Sequence, residues 1–168
     1  QRDAALEVAF EYGDDGIQLR WVAPTETYLE FGSEAFRGEN APAGGAAHSG
    51  VGVKTFFAHA GGDVGVENSW LAGASILRAD STGGEDGFSG RDNVYLFDFT
   101  WKWAPHGQFK DAGIVVRSEA FLDDRKGIVV DPADPDALGQ AWDGQRRGAY
   151  IEGLYRFSRS WDAGYRYD

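Results

Sequence analysis

The fold is decided by the stretch Asn93-Val94-Tyr95-Leu96-Phe97-Asp98-Phe99-Thr100-Trp101-Lys102-Trp103, in which every second residue from Tyr95 onward is aromatic. Successive side chains of a β-strand point to opposite faces of the sheet. One face of this strand therefore carries an unbroken aromatic stripe, whereas the other carries Asp98, Thr100 and Lys102. This pattern is typical of a transmembrane β-strand, because its outer face contacts lipid while its inner face can stay charged and hydrated.

The composition of the chain excludes several classes of protein. Its 168 residues include 27 Asp and Glu but only 16 Lys and Arg, for a formal net charge of -11. We therefore expect no nucleic-acid partner, since phosphate binding needs clustered basic residues. The chain has no cysteine, which rules out disulfides and thiolate chemistry. It also lacks a run of about 18 apolar residues, so no transmembrane helix is predicted.

Segments with period-2 alternation recur along the whole chain and predict an all-β fold. The predicted architecture is an up-and-down antiparallel meander of about nine strands that forms part of a transmembrane β-barrel. One domain is expected to cover residues 1–168. The predicted strands are 6–12, 17–23, 27–36, 51–60, 68–79, 92–103, 112–122, 147–157 and 161–167.

The predicted connections alternate in length, as in outer-membrane barrels that have short turns at one end and long loops at the other. Residues 24–26 and 158–160 form short connections. Residues 38–50, 80–91 and 123–146 form long ones that are rich in Gly, Asp and other polar residues. We expect these long segments to be loops on one side of the membrane.

Charged residues occupy the strand positions opposite the apolar ones. In a barrel such residues line the lumen and filter solutes by charge, whereas in an ordinary antiparallel sheet they form a solvated face. We expect the lumen, because the aromatic stripe and the loop asymmetry both favour a barrel. The predicted lumen-lining residues are Asp98, Lys102, Arg117, Glu119, Glu152, Arg156, Asp162 and Arg166. The predicted lipid-facing aromatic residues are Tyr95, Phe97, Phe99, Trp101, Trp103, Tyr155, Phe157, Trp161 and Tyr165.

Motifs for metal binding or catalysis are weak in this chain. The only three histidines, His48, His59 and His106, lack the spacing of a metal site. The acidic loop 131–136 lacks the Gly and Glu of a helix-loop-helix calcium site, and the charged run 123–126 is expected to be a solvated strand end. No nucleophile elbow, zinc-protease motif or phosphate-binding loop occurs. We expect no enzymatic activity, no bound metal and no cofactor.

Several stretches resemble one family of proteins. They are 14–25 (Asp-Asp-Gly-Ile-Gln-Leu-Arg-Trp-Val-Ala-Pro-Thr), 34–38, 87–105 with its Phe-x-Trp-Lys-Trp-Ala-Pro ending, 148–157 and 161–168. Together they resemble porin-like bacterial outer-membrane β-barrels, often labelled zinc-regulated TonB-dependent outer membrane receptors. The resemblance implies a Gram-negative outer membrane, an antiparallel barrel and a role in the uptake of solutes or metal-related nutrients.

The chain also departs from that family. Its members are longer, and the plug domain and energy-coupling segment of such receptors have no counterpart in these residues. We therefore expect a fragment of a larger barrel, with strands missing at both ends, and leave an energy-coupling partner open.

The predicted function is the passage of small solutes through a water-filled lumen with a mixed acidic and basic lining. The expected partners are outer-membrane lipid, a small solute and a second copy in a homo-oligomer. Two alternatives stay open at this point. A soluble barrel that holds a small apolar ligand would point the aromatic residues of 95–103 inward. A structural or adhesion barrel would have a packed interior and no conductance.

Overall fold

Eight antiparallel strands form a single sheet in which every strand pairs with its neighbours in the sequence. The computed structural model describes residues 14–39, 50–82, 87–130 and 135–168. The predicted all-β, up-and-down meander is confirmed. The strands are β1 (Gly16–Val22), β2 (Tyr28–Phe36), β3 (Val53–Val64), β4 (Asn68–Thr82), β5 (Phe88–Trp103), β6 (Gly113–Val129), β7 (Ala141–Ser158) and β8 (Trp161–Tyr167).

The sheet is open, because β1 and β8 do not pair with each other in the described part of the chain. The first predicted strand, 6–12, lies outside the described residues. Two short 3-10 turns, Pro105–Gly107 and Pro135–Ala137, interrupt the connections. No helix within the described ranges is both long and apolar enough to cross a membrane.

The central strands are longer than the sequence pattern predicts. β4, β5, β6 and β7 contain 15, 16, 17 and 18 residues. Most of the predicted loops 80–91 and 123–146 therefore belong to paired strands, and their assignment as loops was wrong. The two extended hairpins end at residues 83–87 and 130–140, and we call this end of the sheet the extension end.

Glycine pairing explains part of this extension. Gly90 and Gly127 are direct register partners on β5 and β6. A Cβ on Gly127 would lie 2.2 Å from the carbonyl oxygen of Ser89 and 2.7 Å from the Cα of Gly90. The ring of Phe88 also packs over this pair and meets the ring of Trp142 edge to face, with centroids 6.4 Å apart. The backbones of β5 and β6 thus approach closely at Gly90 and Gly127, where the glycines in the sequence suggest that the strands end.

The opposite end of the sheet, which we call the turn end, carries connections 23–27, 65–67, 104–112 and 159–160. The predicted alternation of short and long connections holds only in part. Residues 37–52 and 130–140 are long, but 83–87 is shorter than 104–112 at the turn end. The asymmetry of the two ends comes mainly from the extended strands, not from long loops.

The two faces of the sheet differ in composition and in burial. We call the side that carries Phe97 the aromatic face and the side that carries Asp98 the polar face. Every buried strand side chain lies on the polar face by register, whether apolar or charged. Burial that is confined to one face of the sheet indicates that the sheet curls toward that face. The polar face is therefore the inside of the curl.

Packing on the polar face is tightest toward the extension end. Val53, Leu77, Ala79 and Val94 form a buried apolar cluster that Phe36 and Leu96 flank. Three charged residues lie beside it. Arg125 Nε lies 2.7 Å from Asp92 Oδ2 and 3.5 Å from Asp123 Oδ2. Burial, aided by a hydrogen bond with Asp123, raises the pKa of Asp92 to about 7, while the Arg125 guanidinium acts in the opposite direction.

The prediction that 123–126 is a solvated strand end was therefore wrong. Asp123 is 8% exposed and Asp92 is fully buried. A buried carboxylate needs a cationic or hydrogen-bonding partner, and Arg125 supplies one to both aspartates. Since Arg125 follows Asp123 by two residues, both point to the same face, and Asp92 meets them from β5 as the register partner of Arg125.

Candidate functional site

The eight predicted lumen residues all share the polar face. Register pairs Asp98 with Glu119, Arg117 with Glu152, Glu152 with Arg166, and Arg156 with Asp162; Lys102 pairs with Val115 on the same side. The sequence alternation predicts that these residues share a face. The strand register also shows which of their side chains are neighbours.

Opposite charges lie next to one another toward β7 and β8. Arg156 Nη2 donates to Asp162 Oδ2 at 3.0 Å, and Arg117 Nη1 lies 3.5 Å from Glu152 Oε1. The guanidinium of Arg166 lies 3.8 Å from the ring centre of Tyr150. These residues are partly exposed, as pairs facing a hydrated space would be. A cavity of about 380 Å³ lies beside them, lined in part by Glu119, Tyr150 and Arg166.

Nearer the middle of the sheet, acidic residues align in one cross-strand row. The row runs through Glu30, His59, Gly73, Asp98, Glu119 and Tyr150 by consecutive register pairs. Asp98 and Glu119 stand directly opposite each other, which is unfavourable for two carboxylates. The basic residues Lys102, Arg117 and Arg166 lie in rows closer to the turn end. The polar face thus carries an acidic row, followed toward the turn end by rows in which acidic and basic residues are mixed.

Glu30 is the best-connected member of the acidic row and was absent from the predicted lumen residues. Arg20 Nε lies 2.5 Å from Glu30 Oε1. The hydroxyl of Tyr28 donates to Glu30 Oε2 at 2.8 Å, and His59 Nδ1 lies 3.1 Å from the same oxygen. Alternation within 27–36 places Glu30 on the polar face, but its partners come from β1 and β3 and could not be read from that segment.

His59 lies in the interior of β3. Gly73 makes room for it and for Asp98. A Cβ on Gly73 would lie 2.7 Å from His59 Cδ2 and 2.0 Å from Asp98 Oδ2. The absence of a side chain at this one position therefore lets both groups lean over β4 in the same row.

Phe109, a residue outside every predicted strand and motif, folds from connection 104–112 over the polar face. Its ring centre lies 5.0 Å from Lys102 Nζ and 5.1 Å from the guanidinium carbon of Arg156. It also packs where a Cβ on Gly113 would lie. Cations over an aromatic face are attracted by its quadrupole. Phe109 therefore partly covers the polar face at the turn end.

On the aromatic face, the predicted lipid-facing residues Tyr95, Phe97, Phe99, Trp101, Trp103, Tyr155 and Tyr165 lie on one side by register. Phe157 joins them, since its ring centre lies 6.1 Å from that of Tyr155. Trp161 lies at a bulge, so register does not assign it to a face; it is 68% exposed. Phe97 and Phe99 are 57% and 42% exposed, in contrast to the inward-pointing rings that a soluble ligand-binding barrel requires.

The aromatic face carries an uncharged belt that crosses the central strands. We call it the apolar band; it consists of the aromatic-face residues within 56–64, 68–76, 95–103, 114–122 and 149–157. Each segment is nine residues long, and a tilted transmembrane strand needs about 9–11.

Charged residues border the band on the side of the extension end. We call these aromatic-face residues the charged margin; they are Lys54, Arg78, Asp80, Arg91, Asp124, Lys126, Asp143 and Arg147.

No group of three or more His, Asp or Glu side chains in the described ranges is close enough to hold a metal ion. His48 and the segment 131–134 lie outside those ranges. The side chain of His106 is 91% exposed on a turn, and its backbone N–H donates to Glu67 Oε1 at 2.9 Å.

Comparison of the chain with models of protein families, with curated proteins and with solved structures finds no match. The described fold and the chemistry of its two faces are therefore the basis for a functional assignment.

Proposed function

We propose that the chain forms part of the wall of a bacterial outer-membrane β-barrel, with the polar face lining a path for small solutes. The observation that carries this proposal is the apolar band. Over nine residues of each central strand the aromatic-face side chains are uncharged, which is about the length of a tilted membrane-spanning strand, whereas the charged side chains of the same segments lie on the polar face. A water-soluble sheet of this size would instead bury its apolar face.

The composition of the polar face supports solute passage. It carries an acidic row near the middle of the sheet and rows of mixed acidic and basic residues toward the turn end, as expected of a lining that filters ions. Ion pairs such as Arg156–Asp162 keep the charged side chains partnered without filling the space in front of them. The open edges at β1 and β8 would pair with further strands, since unpaired backbone groups are very costly in lipid.

A structural barrel without a pore is the second candidate. It is favoured by the buried cluster of Val53, Leu77, Ala79 and Val94, which packs the polar face near the extension end. A barrel closed by such packing would anchor the extended hairpins outside the membrane and conduct nothing.

Single-channel recording in a planar bilayer separates these candidates. We expect discrete current steps from the complete barrel that contains this chain, and we expect Asp98→Lys to shift the reversal potential in a salt gradient toward anions. The neighbouring change Phe97→Leu, on the aromatic face, is the control and should leave the reversal potential unchanged. Flat traces at all voltages would contradict the pore and support the structural barrel.

A further inference from the structure

Two adjoining grooves on the aromatic face have complementary chemistry. The first is an open trough of about 520 Å³ within the apolar band, which we call the alanine trough. Ala58 and Ala74, direct register partners on β3 and β4, form its floor. Phe31 and Phe97 flank them in the same cross-strand row and form its walls. Small residues between large rings leave a channel along the surface that the sheet itself does not fill.

The second groove, which we call the cationic groove, adjoins the trough on the side of the extension end. Its volume is about 260 Å³, and it is lined by three cations, one carboxylate, a glycine and an aromatic ring: Lys54, Arg78, Arg91, Asp80, Gly52 and Phe56. Phe56 also lines the alanine trough, so the two grooves meet at its ring. The boundary between the apolar band and the charged margin runs through this point.

The cationic groove carries an excess of positive charge. Lys54 and Arg78 are direct register partners, and like charges in that position repel each other. The guanidinium of Arg78 donates to the amide oxygen of Asn93 at 3.1 Å, which leaves its charge unneutralised. Within the described residues no carboxylate contacts Lys54, and Asp80 reaches only Arg91, at 3.9 Å between exposed groups.

We propose that these two grooves bind one anionic, phosphate-bearing lipid. The phosphate lies between Lys54 and Arg78, and one acyl chain follows the alanine trough across the apolar band. This proposal rests on the proposed position of the band in a membrane. A phosphate between Lys54 and Arg78 would relieve the repulsion between these two directly opposed cations. The acyl chain would cover Ala58 and Ala74 on the floor of the alanine trough.

The trough distinguishes a lipid from a free anion. Inorganic phosphate could contact Lys54 and Arg78 but would gain nothing from Ala58, Ala74 or the surrounding rings. A lipid gains both contacts, because apolar burial adds to the attraction between anionic headgroups and basic residues at a membrane surface.

The margin offers a matched comparison on β6 and β7. Lys126 and Arg147 lie on the same aromatic face, in the margin beyond the apolar band. Lys126 lies 3.7 Å from Asp124 and is the register partner of Asp143 on β7 and of Arg91 on β5. The double variant Lys126→Gln/Arg147→Gln removes the same amount of charge from the charged margin, at two positions that are not register partners of each other.

The test begins with the protein reconstituted in phosphatidylcholine and then transferred to micelles for native mass spectrometry. Phosphatidic acid with two acyl chains is titrated in, and bound lipid is counted. We expect one preferred phosphatidic acid per chain. Lys54→Gln/Arg78→Gln should weaken its binding by at least about tenfold, whereas Lys126→Gln/Arg147→Gln should change it by less than about twofold.

A second variant tests the acyl chain. Ala74→Leu fills the trough and keeps every cation, so it should also weaken binding of phosphatidic acid. Added inorganic phosphate should not displace the lipid. Equal losses in both double variants would overturn the proposal in favour of general surface attraction, and displacement by inorganic phosphate would overturn it in favour of a free anion. Failure of the unmodified protein to enter phosphatidylcholine, before any anionic lipid is added, would contradict the membrane position instead.

Discussion

Asp98 on β5 and Glu119 on β6 stand directly opposite each other on the polar face. Two carboxylates in that position destabilise a sheet, and similar cross-strand pairs are worth about 0.2–1 kcal/mol. A sequence selected for stability alone would not keep both. Their retention is understandable if negative charge at this height acts on a passing solute.

We therefore expect Asp98→Asn to have opposite effects on stability and on transport. The free energy of unfolding should rise by about 0.2–1 kcal/mol, because the repulsion with Glu119 is removed. The ratio of cation to anion permeability should fall. Asp63→Asn is the control, since Asp63 shares the polar face but pairs with Ser69. A loss of stability in Asp98→Asn would show that the two carboxylates do not repel each other.

The extended hairpins depend on close contact between Gly90 and Gly127. Gly127→Ala should destabilise them by about 2 kcal/mol or more, because the new Cβ meets backbone that cannot move aside. Gly153→Ala is the matched control, since no atom lies within 4 Å of its Cβ position. Trypsin digestion followed by mass spectrometry should reveal new cleavage at Arg125 and Lys126 in Gly127→Ala alone. Equal cleavage in the unmodified protein would mean that 123–129 is a loop after all.

The extension should be less stable at higher pH. The carboxyl of Asp92 has a folded-state pKa of about 7, above the ordinary value of 3.8, so the folded state binds the proton more tightly than the unfolded state does. The contribution of Asp92 to the free energy of unfolding is greatest below pH 3.8, the ordinary pKa that this carboxyl has in the unfolded chain. That contribution is lost as the pH rises to about 7. The slope is at most about 1.4 kcal/mol per pH unit for one proton.

Hydrogen exchange of the amides in β5 and β6 at pH 5.5 and pH 7.5, corrected for intrinsic rates, measures this effect. Protection in the extension should be lower at the higher pH. The groups that face Asp92 are Asp123 and Arg125 on β6, with Arg146 on β7 one row away. Asp92→Asn cannot ionise, so its protection should depend less on pH. An unchanged pH dependence in that variant would assign the effect to another group.

Phe109 partly covers the polar face at the turn end through its contacts with Lys102 and Arg156. We expect Phe109→Ala to raise single-channel conductance, because it removes the ring and frees two cations. Phe109→Tyr keeps an aromatic face and should conduct as the unmodified protein does. A lower conductance in Phe109→Ala would mean that the ring holds the path open and does not cover it.

The division of the sheet into two faces could be predicted from the sequence because alternation is local. Phe97 and Asp98 are neighbours in the chain, and strand geometry alone places them on opposite sides. The same reasoning correctly grouped all eight charged residues on one face. It needs no knowledge of which strands pair.

The extension and the acidic row could not be predicted in this way. Glycine and charged residues interrupt the alternation in 80–91 and 123–146, so these segments resemble loops until Gly90 is seen opposite Gly127. Likewise, Glu30 meets His59 only through the register of β2 with β3. Interactions between residues far apart in sequence are set by that register, which a single strand does not reveal.

The orientation of the two faces toward lipid and water is tested most directly at Phe97 and Asp98. Because the chain has no cysteine, Phe97→Cys and Asp98→Cys each introduce a unique thiol. In reconstituted vesicles a charged, water-soluble methanethiosulfonate should modify Asp98→Cys rapidly, whereas Phe97→Cys should react only with a membrane-soluble maleimide. Rapid modification of Phe97→Cys by the charged reagent, with Asp98→Cys protected, would contradict a membrane wall with a hydrated inner face.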